Sequence, residues 1–141
     1  LVAELKQAYT LDAIHSRCRP EFRTQLLISR LKRRGLAVGV ASNSIRQTVE
    51  VMMARTGLLD MLDVVLSNED VTCPKPDPEI YRVAAERLGI APARILVVED
   101  HPVGVHAAKE AGCRVLHVEN VRDVNLENVE ARLDTGAEAE R

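Results

Sequence analysis

The sequence predicts an α/β fold, a parallel sheet with flanking helices. Three observations carry that prediction. Short apolar runs at about 37–41, 63–66, 94–98 and 114–118 alternate with stretches of helical periodicity, the pattern of βαβ units with right-handed crossovers. The run Ile95-Leu96-Val97-Val98 shows no polar alternation, as suits a strand buried on both faces, and it ends abruptly in Glu99-Asp100. Apolar residues make up 46% of the chain but aromatics only 2%, so the core must be built from Leu, Val, Ile and Ala in close helix-on-sheet contact.

Taken in order, residues 1–17 read as helix, with Leu1, Leu5, Ala8 and Tyr9 on one face and no strand pattern before them. Arg17-Cys18-Arg19-Pro20 breaks the periodicity and reads as a linker. A helix from about Glu21 to Arg34 pairs Phe22 with Leu26 and Leu27 with Leu31, and Gly35 suits its C′ position. Arg30, Lys32, Arg33 and Arg34 crowd its last turn, either as a phosphate patch or, more simply, as complements to the helix dipole. Strand 36–41 runs into Ser42-Asn43-Ser44, then a helix presenting Ile45, Val49, Met52 and Met53 and closed by Gly57. After the short strand 63–66 comes a proline-rich polar loop, 67–78. Asp77 and Pro78 then start a helix that Gly89 closes. The strand at 94–98 leads to a helix from about Pro102 to Ala111, closed by Gly112, and to a last strand at 114–118. Beyond Asn125 the chain is mostly polar, and a short helix with a frayed end is expected. The domain organisation is thus 1–19 ahead of the core, 20–125 as one α/β unit, and 126–141 as a polar tail.

Composition excludes several classes of function. A net charge of −2 gives no general pull toward nucleic acid or anionic membrane, and base-stacking modules need aromatic platforms that are scarce here. No apolar run reaches membrane-spanning length and no signal peptide is visible. Cys18, Cys73 and Cys113 are odd in number and widely spaced, fitting neither a disulfide framework nor a zinc site, so a reducing, cytoplasmic setting is expected.

Polar groups gather where the strands end. Ser42-Asn43, Lys75 and Glu99-Asp100 each fall at or just after a strand's carboxyl end, and in a parallel sheet those ends share one edge. Together they match what phosphoryl transfer needs: a hydroxyl and backbone N–H groups for phosphate oxygens, an ammonium to offset charge, and carboxylates to carry Mg²⁺. Each also has a plainer explanation. Serines and asparagines cap helices, and Asp100 could cap the helix after Pro102. A loop lysine is commonly just solvated. Cys73 lacks any neighbouring base to activate it, which favours an inert thiol over a nucleophile. His101 and His106 lack the spacing of a metal site.

The stretches Val38-Gly39-Val40-Ala41-Ser42-Asn43-Ser44, Lys75-Pro76-Asp77-Pro78-Glu79-Ile80-Tyr81 and Val97-Val98-Glu99-Asp100-His101-Pro102-Val103-Gly104 resemble the second, third and fourth motifs of the haloacid dehalogenase (HAD) superfamily. The likeness is to its helical-cap phosphatases and beta-phosphoglucomutase-like members and covers roughly residues 20–120. It implies a Rossmann-like core and a Mg²⁺-dependent aspartyl-phosphate mechanism on a small phosphorylated metabolite. Ser42 and Asn43 would hold the phosphoryl group, Lys75 would stabilise it, and Asp100 would ligate Mg²⁺ with Glu99 ligating or orienting beside it. Residues 1–19 would be the last part of a helical cap and its linker.

The superfamily's first motif, a strand ending in Asp-x-Asp that supplies the nucleophile, has no counterpart in the sequence; Asp12 is the nearest look-alike. The expected fold is therefore the superfamily core without its first strand, which would leave a gap between the strands at 37–41 and 94–98. The 141 residues are expected to be the C-terminal portion of an enzyme and inactive alone. His101 stands where the family has a small residue. A phosphosugar mutase of the same family, and a non-catalytic binding module on the same fold, are the alternatives. Ile95–Asp100 also resembles the opening strand of a receiver domain, but only 41 residues follow, too few for the remaining βα units. Nucleic-acid binding through Arg30–Arg34 lacks aromatics and overall positive charge.

Overall fold

A computed structural model describes residues 2–3 and 22–139 of the chain. Ten regular elements follow one another: β1 (Val2–Ala3), α1 (Phe22–Arg33), β2 (Gly39–Ala41), α2 (Arg46–Arg55), β3 (Val64–Leu66), α3 (Glu79–Leu88), β4 (Leu96–Glu99), α4 (Pro102–Glu110), β5 (Arg114–His117) and α5 (Leu126–Ala139). The five strands form one sheet in the order β3-β2-β1-β4-β5, and every neighbouring pair is parallel. Strand order reverses direction at β1, so the crevice beside it is where an open α/β sheet places its ligands.

Two layers cover the sheet, and strand parity decides which residue enters which. Ile95 and Val97 pack with Ile80, Tyr81 and Ala84 of α3 and Ala107 and Ala108 of α4. Leu96 and Val98 point the other way, toward Leu27, Ile28 and Leu31 of α1, Val49, Met52 and Met53 of α2, and Val129 of α5. The first layer relies on alanines, which let α3 and α4 approach the sheet closely; the second is filled by Leu, Ile and Met. Gly39 serves the same end within the sheet. A Cβ there would lie 2.3 Å from Val64 Cγ1, so only glycine lets β2 and β3 pair at this point.

Two sequence expectations are corrected, one at each end of the chain. Val2 and Ala3 lie in the sheet, opposite Gly39 and Val40 of β2 and Val97 and Val98 of β4, where a helix and a mid-sheet gap were expected. Two interior strands cannot leave their facing N–H and C=O groups unpaired, and a short apolar segment fills that need. The rest of the helix expected over 1–17, with Asp12, the linker and Cys18, lies outside the described residues. In α1 the buried stripe is Leu27, Ile28 and Leu31, while Phe22 and Leu26 remain exposed at 77% and 56%. The C-terminal stretch forms a helix of 14 residues where only a short one with a frayed end was expected. It is held because Val129 is fully buried, Leu126 and Leu133 pack beside it, and Glu130 and Asp134 meet Arg34 at 3.3 and 3.4 Å. The basic end of α1 therefore makes ion pairs across the fold, including Lys32 with Asp63 at 2.7 Å. No described helix is long and apolar enough to cross a membrane.

Candidate active site

The polar residues singled out from the sequence lie along the carboxyl edge of the sheet, and side chains link them. Asn43, just past β2, accepts a hydrogen bond from Lys75 N at 3.1 Å through Oδ1 and donates to Lys75 O at 3.4 Å through Nδ2. Those two bonds tie the loop after β3 to the turn after β2. Lys75 then reaches inward: Nζ donates to Ala41 O at 3.1 Å, to Tyr81 Oη at 3.3 Å and to Glu99 Oε2 at 3.4 Å. Both charged side chains of this ion pair are fully buried. A buried pair is stable only when its remaining donors and acceptors are also met. Glu99 meets that condition, because Oε1 accepts from the amides of Asp100 and His101 at 3.2 and 3.3 Å, and Oε2 accepts from the Tyr81 hydroxyl at 2.9 Å.

Parity explains why Glu99 is inside. It continues the side of β4 that carries Ile95 and Val97, so its carboxylate enters the α3/α4 layer instead of the open edge. The layer makes room at Gly104 on α4, where a Cβ would stand 1.9 Å from Glu99 Oε2. Asp100 is the first residue beyond the strand and sits half-buried at the lip.

Capping does not account for the polar residues at the edge. The N-cap of α2 is Ile45, with no side-chain cap; Ser42 is fully buried and its Oγ accepts from the amide of Ser44 at 3.1 Å. The N-cap of α4 is His101, whose Nδ1 accepts from Val103 N at 3.1 Å, so Asp100 has no such duty. Pro78, not the expected Asp77, is the N-cap of α3 and gives no side-chain cap, although Asp77 Oδ1 accepts from Glu79 N at 2.9 Å just ahead of the helix.

A second acidic cluster holds the loop that carries Lys75. Ser67 caps a short turn at Asn68–Asp70, and Asp70 accepts from the Ser67 amide and hydroxyl at 2.8 and 3.1 Å. Asp70 also pairs with Arg46 and, at 3.1 Å, with Arg87. Burial alone would raise the Asp70 carboxyl, but those hydrogen bonds and the two guanidiniums outweigh it and hold it below the usual carboxylate range. Further along, Glu79 accepts from the amides of Thr72 and Cys73 at 2.9 and 2.8 Å. Of the cysteines, Cys73 is exposed, whereas burial pushes the Cys113 thiol up to about 11.

Tyr81 was missed as a site residue in the sequence. It stood there only as the last residue of the Lys75–Tyr81 stretch, with no role given; its hydroxyl among buried charges is what sets it apart. Asp70 and Glu79 were missed because nothing local distinguishes an acid that holds a loop from one that faces water.

The fold and its edge define a doubly wound α/β domain with its polar groups at the topological switch point. The chain belongs to the haloacid dehalogenase-like hydrolase family, whose model matches residues 2–118. It is 37% identical over 86 residues to validoxylamine A 7'-phosphate phosphatase of Streptomyces hygroscopicus subsp. limoneus, covering 61% of this chain and 40% of that protein. It is 36% identical over 91 residues to pyrophosphatase PpaX of Bacillus velezensis, covering 64% of this chain and 42% of that protein. Among solved structures, CbbY from Rhodobacter sphaeroides in complex with phosphate superposes with a TM-score of 0.65 at 32% identity, over 70% of this chain and 45% of that one. The chain thus spans less than half the length of these relatives.

Proposed function

We propose that this chain supplies the phosphate- and metal-binding part of a Mg²⁺-dependent phosphohydrolase that acts on a small phosphate monoester through an aspartyl-phosphate. The observation that carries this reading is the connected set Asn43, Lys75 and Glu99 at the sheet edge, with Ser42 and Asp100 on either side of β1's place in the sheet. Relatives named for phosphatase and pyrophosphatase activity, and one solved with phosphate, support the substrate class.

Ser42 and Asn43, with amides of the turn before α2, would receive phosphoryl oxygens, and Lys75 would stabilise the charge that develops on them. Among the described residues no group of three His, Cys, Asp or Glu side chains could hold a metal. Asp100 still fits one position on a hard cation, since Mg²⁺ commonly keeps its waters and takes one or two carboxylates plus substrate oxygens. When bound, Mg²⁺ would supply positive charge against the phosphate. Of the two roles open to Glu99, orienting is favoured over ligating, because its oxygens already serve Lys75, Tyr81 and two amides.

The attacking carboxylate is the remaining requirement. No Asp-x-Asp occurs in the 141 residues, so the chain alone is expected not to hydrolyse p-nitrophenyl phosphate. Hydrolysis by the purified chain that Asp100→Ala abolishes would overturn that expectation. The coding sequence upstream of Leu1 tests the larger reading. An in-frame apolar strand ending in Asp-x-Asp, which would take the place that Val2 and Ala3 hold between β2 and β4, supports a phosphohydrolase or mutase, while a native start near Leu1 supports a non-catalytic module. A cytoplasmic setting is part of the same proposal.

A further inference from the structure

We infer that the Tyr81 hydroxyl is a positioning group that keeps Lys75 turned toward the phosphoryl site instead of fully paired with Glu99. The inference rests on the phosphate-binding reading above. It comes from the order of distances around three buried side chains. The shortest contact is from the Tyr81 hydroxyl to Glu99 Oε2, at 2.9 Å. Lys75 Nζ stands 3.3 Å from the same phenol oxygen and 3.4 Å from Glu99 Oε2. The ion pair is therefore long, and the phenol bridges it, donating its proton to the carboxylate and accepting from the ammonium.

This geometry has a physical consequence. A buried ammonium and carboxylate with nothing between them close to a short charge-assisted bond of about 2.7–2.9 Å. That closure would draw Nζ toward Glu99 and away from Ala41 O, which it now meets at 3.1 Å at the end of β2, one residue before Ser42. By serving Glu99 first, Tyr81 lessens the carboxylate's hold on Lys75 and lets Nζ stay at Ala41 O, beside the turn that follows β2. Gly104 fixes the other side: with no room for a Cβ beside Glu99, the carboxylate is confined between α4 and the phenol. The cation also lies over the ring, with Nζ 5.2 Å from its centroid. Phenylalanine would satisfy the core equally well at this fully buried position, so the oxygen, not the ring, carries the role.

The test uses the 141-residue chain with inorganic phosphate in Mg²⁺ buffer as probe, followed by titration, together with the ¹⁵N resonance of the Lys75 ammonium. Tyr81→Phe is expected to weaken phosphate binding about three- to tenfold, the loss of roughly one hydrogen bond. The Lys75 resonance should move even without phosphate. In a Lys75→Met background Tyr81→Phe should change nothing further, because the two act through one group. Val97→Ala, which loosens the same layer without touching the hydroxyl, should bind phosphate as the parent chain does. Equal weakening by Tyr81→Phe and Val97→Ala, or an unmoved Lys75 resonance in Tyr81→Phe, overturns the inference. If Ser42→Ala and Lys75→Met both leave phosphate affinity intact, the phosphate-binding reading fails instead, and the Lys75 resonance still decides what Tyr81 does.

Discussion

Two clusters of opposite charge lie near the carboxyl edge, built from similar groups but put to different use. Asp70 gathers Arg46, Arg87 and Ser67, and its arginines remain 35% and 49% exposed. Lys75, Glu99 and Tyr81 are sealed inside, with neither charged side chain exposed. The outer cluster can exchange its partners for water, so each of its ion pairs is worth little and its task is to shape a loop. The inner one has no such exchange. Its charges were taken out of water at considerable cost, which a fold maintains where the charge is needed in a fixed place. Burial, more than charge, separates the site from its scaffold.

Substitutions can break that contrast. The largest effect is expected at Glu99. Glu99→Ala takes the Glu99 carboxylate from the buried Lys75 ammonium and should cost about 3–5 kcal/mol of stability. A chemical denaturation midpoint within error of the parent chain would show that water reaches Lys75 and that the two clusters are alike. Next comes Gly104→Ala, whose new methyl would meet the Glu99 carboxylate. Overpacking of this kind costs about 1–3 kcal/mol, and the Lys75 ammonium signal should be disturbed as well.

Asp70→Asn is expected to be the mildest of the three, about 1–2 kcal/mol, since two half-exposed arginines and a serine lose a charged acceptor. It should also depend on pH in one direction. The folded Asp70 carboxyl lies below its ordinary value near 3.8, so the native state holds fewer protons than the unfolded state as acid is added. Its stabilisation is complete above the unfolded value and is lost as pH falls through the lower, folded one. The difference between Asp70→Asn and the parent chain should therefore be full at pH 7 and should shrink below pH 4. A constant difference down to pH 2 would mean that packing, not charge, is what Asp70 contributes.

Much of this was legible residue by residue. The apolar runs near 40, 65, 96 and 115 are strands, Gly35, Gly89 and Gly112 adopt the positive φ expected after a helix, and the α/β class follows from their alternation. Local chemistry sufficed because strand and helix periods, and the turns between them, are short-range properties. The sequence also marked Ser42, Asn43, Lys75, Glu99 and Asp100, since polar residues at apolar strand ends stand out from their surroundings. It did not separate Glu99 from Asp100, although the parity of Ile95, Val97 and Glu99 was there to be used.

Other features depended on partners distant in the chain. Val2 and Ala3 are a strand because two others needed pairing, against the helical periodicity read from the sequence. The C-terminal helix is held by Arg34 and by a layer made from α1 and α2, which a polar local sequence cannot announce. Tyr81 became more than core filler only when Lys75 and Glu99, six and 18 residues away, were folded against its hydroxyl. Periodicity and turn chemistry are written into neighbouring residues, whereas the burial of a charge, and the group chosen to satisfy it, exist only once remote segments close around it.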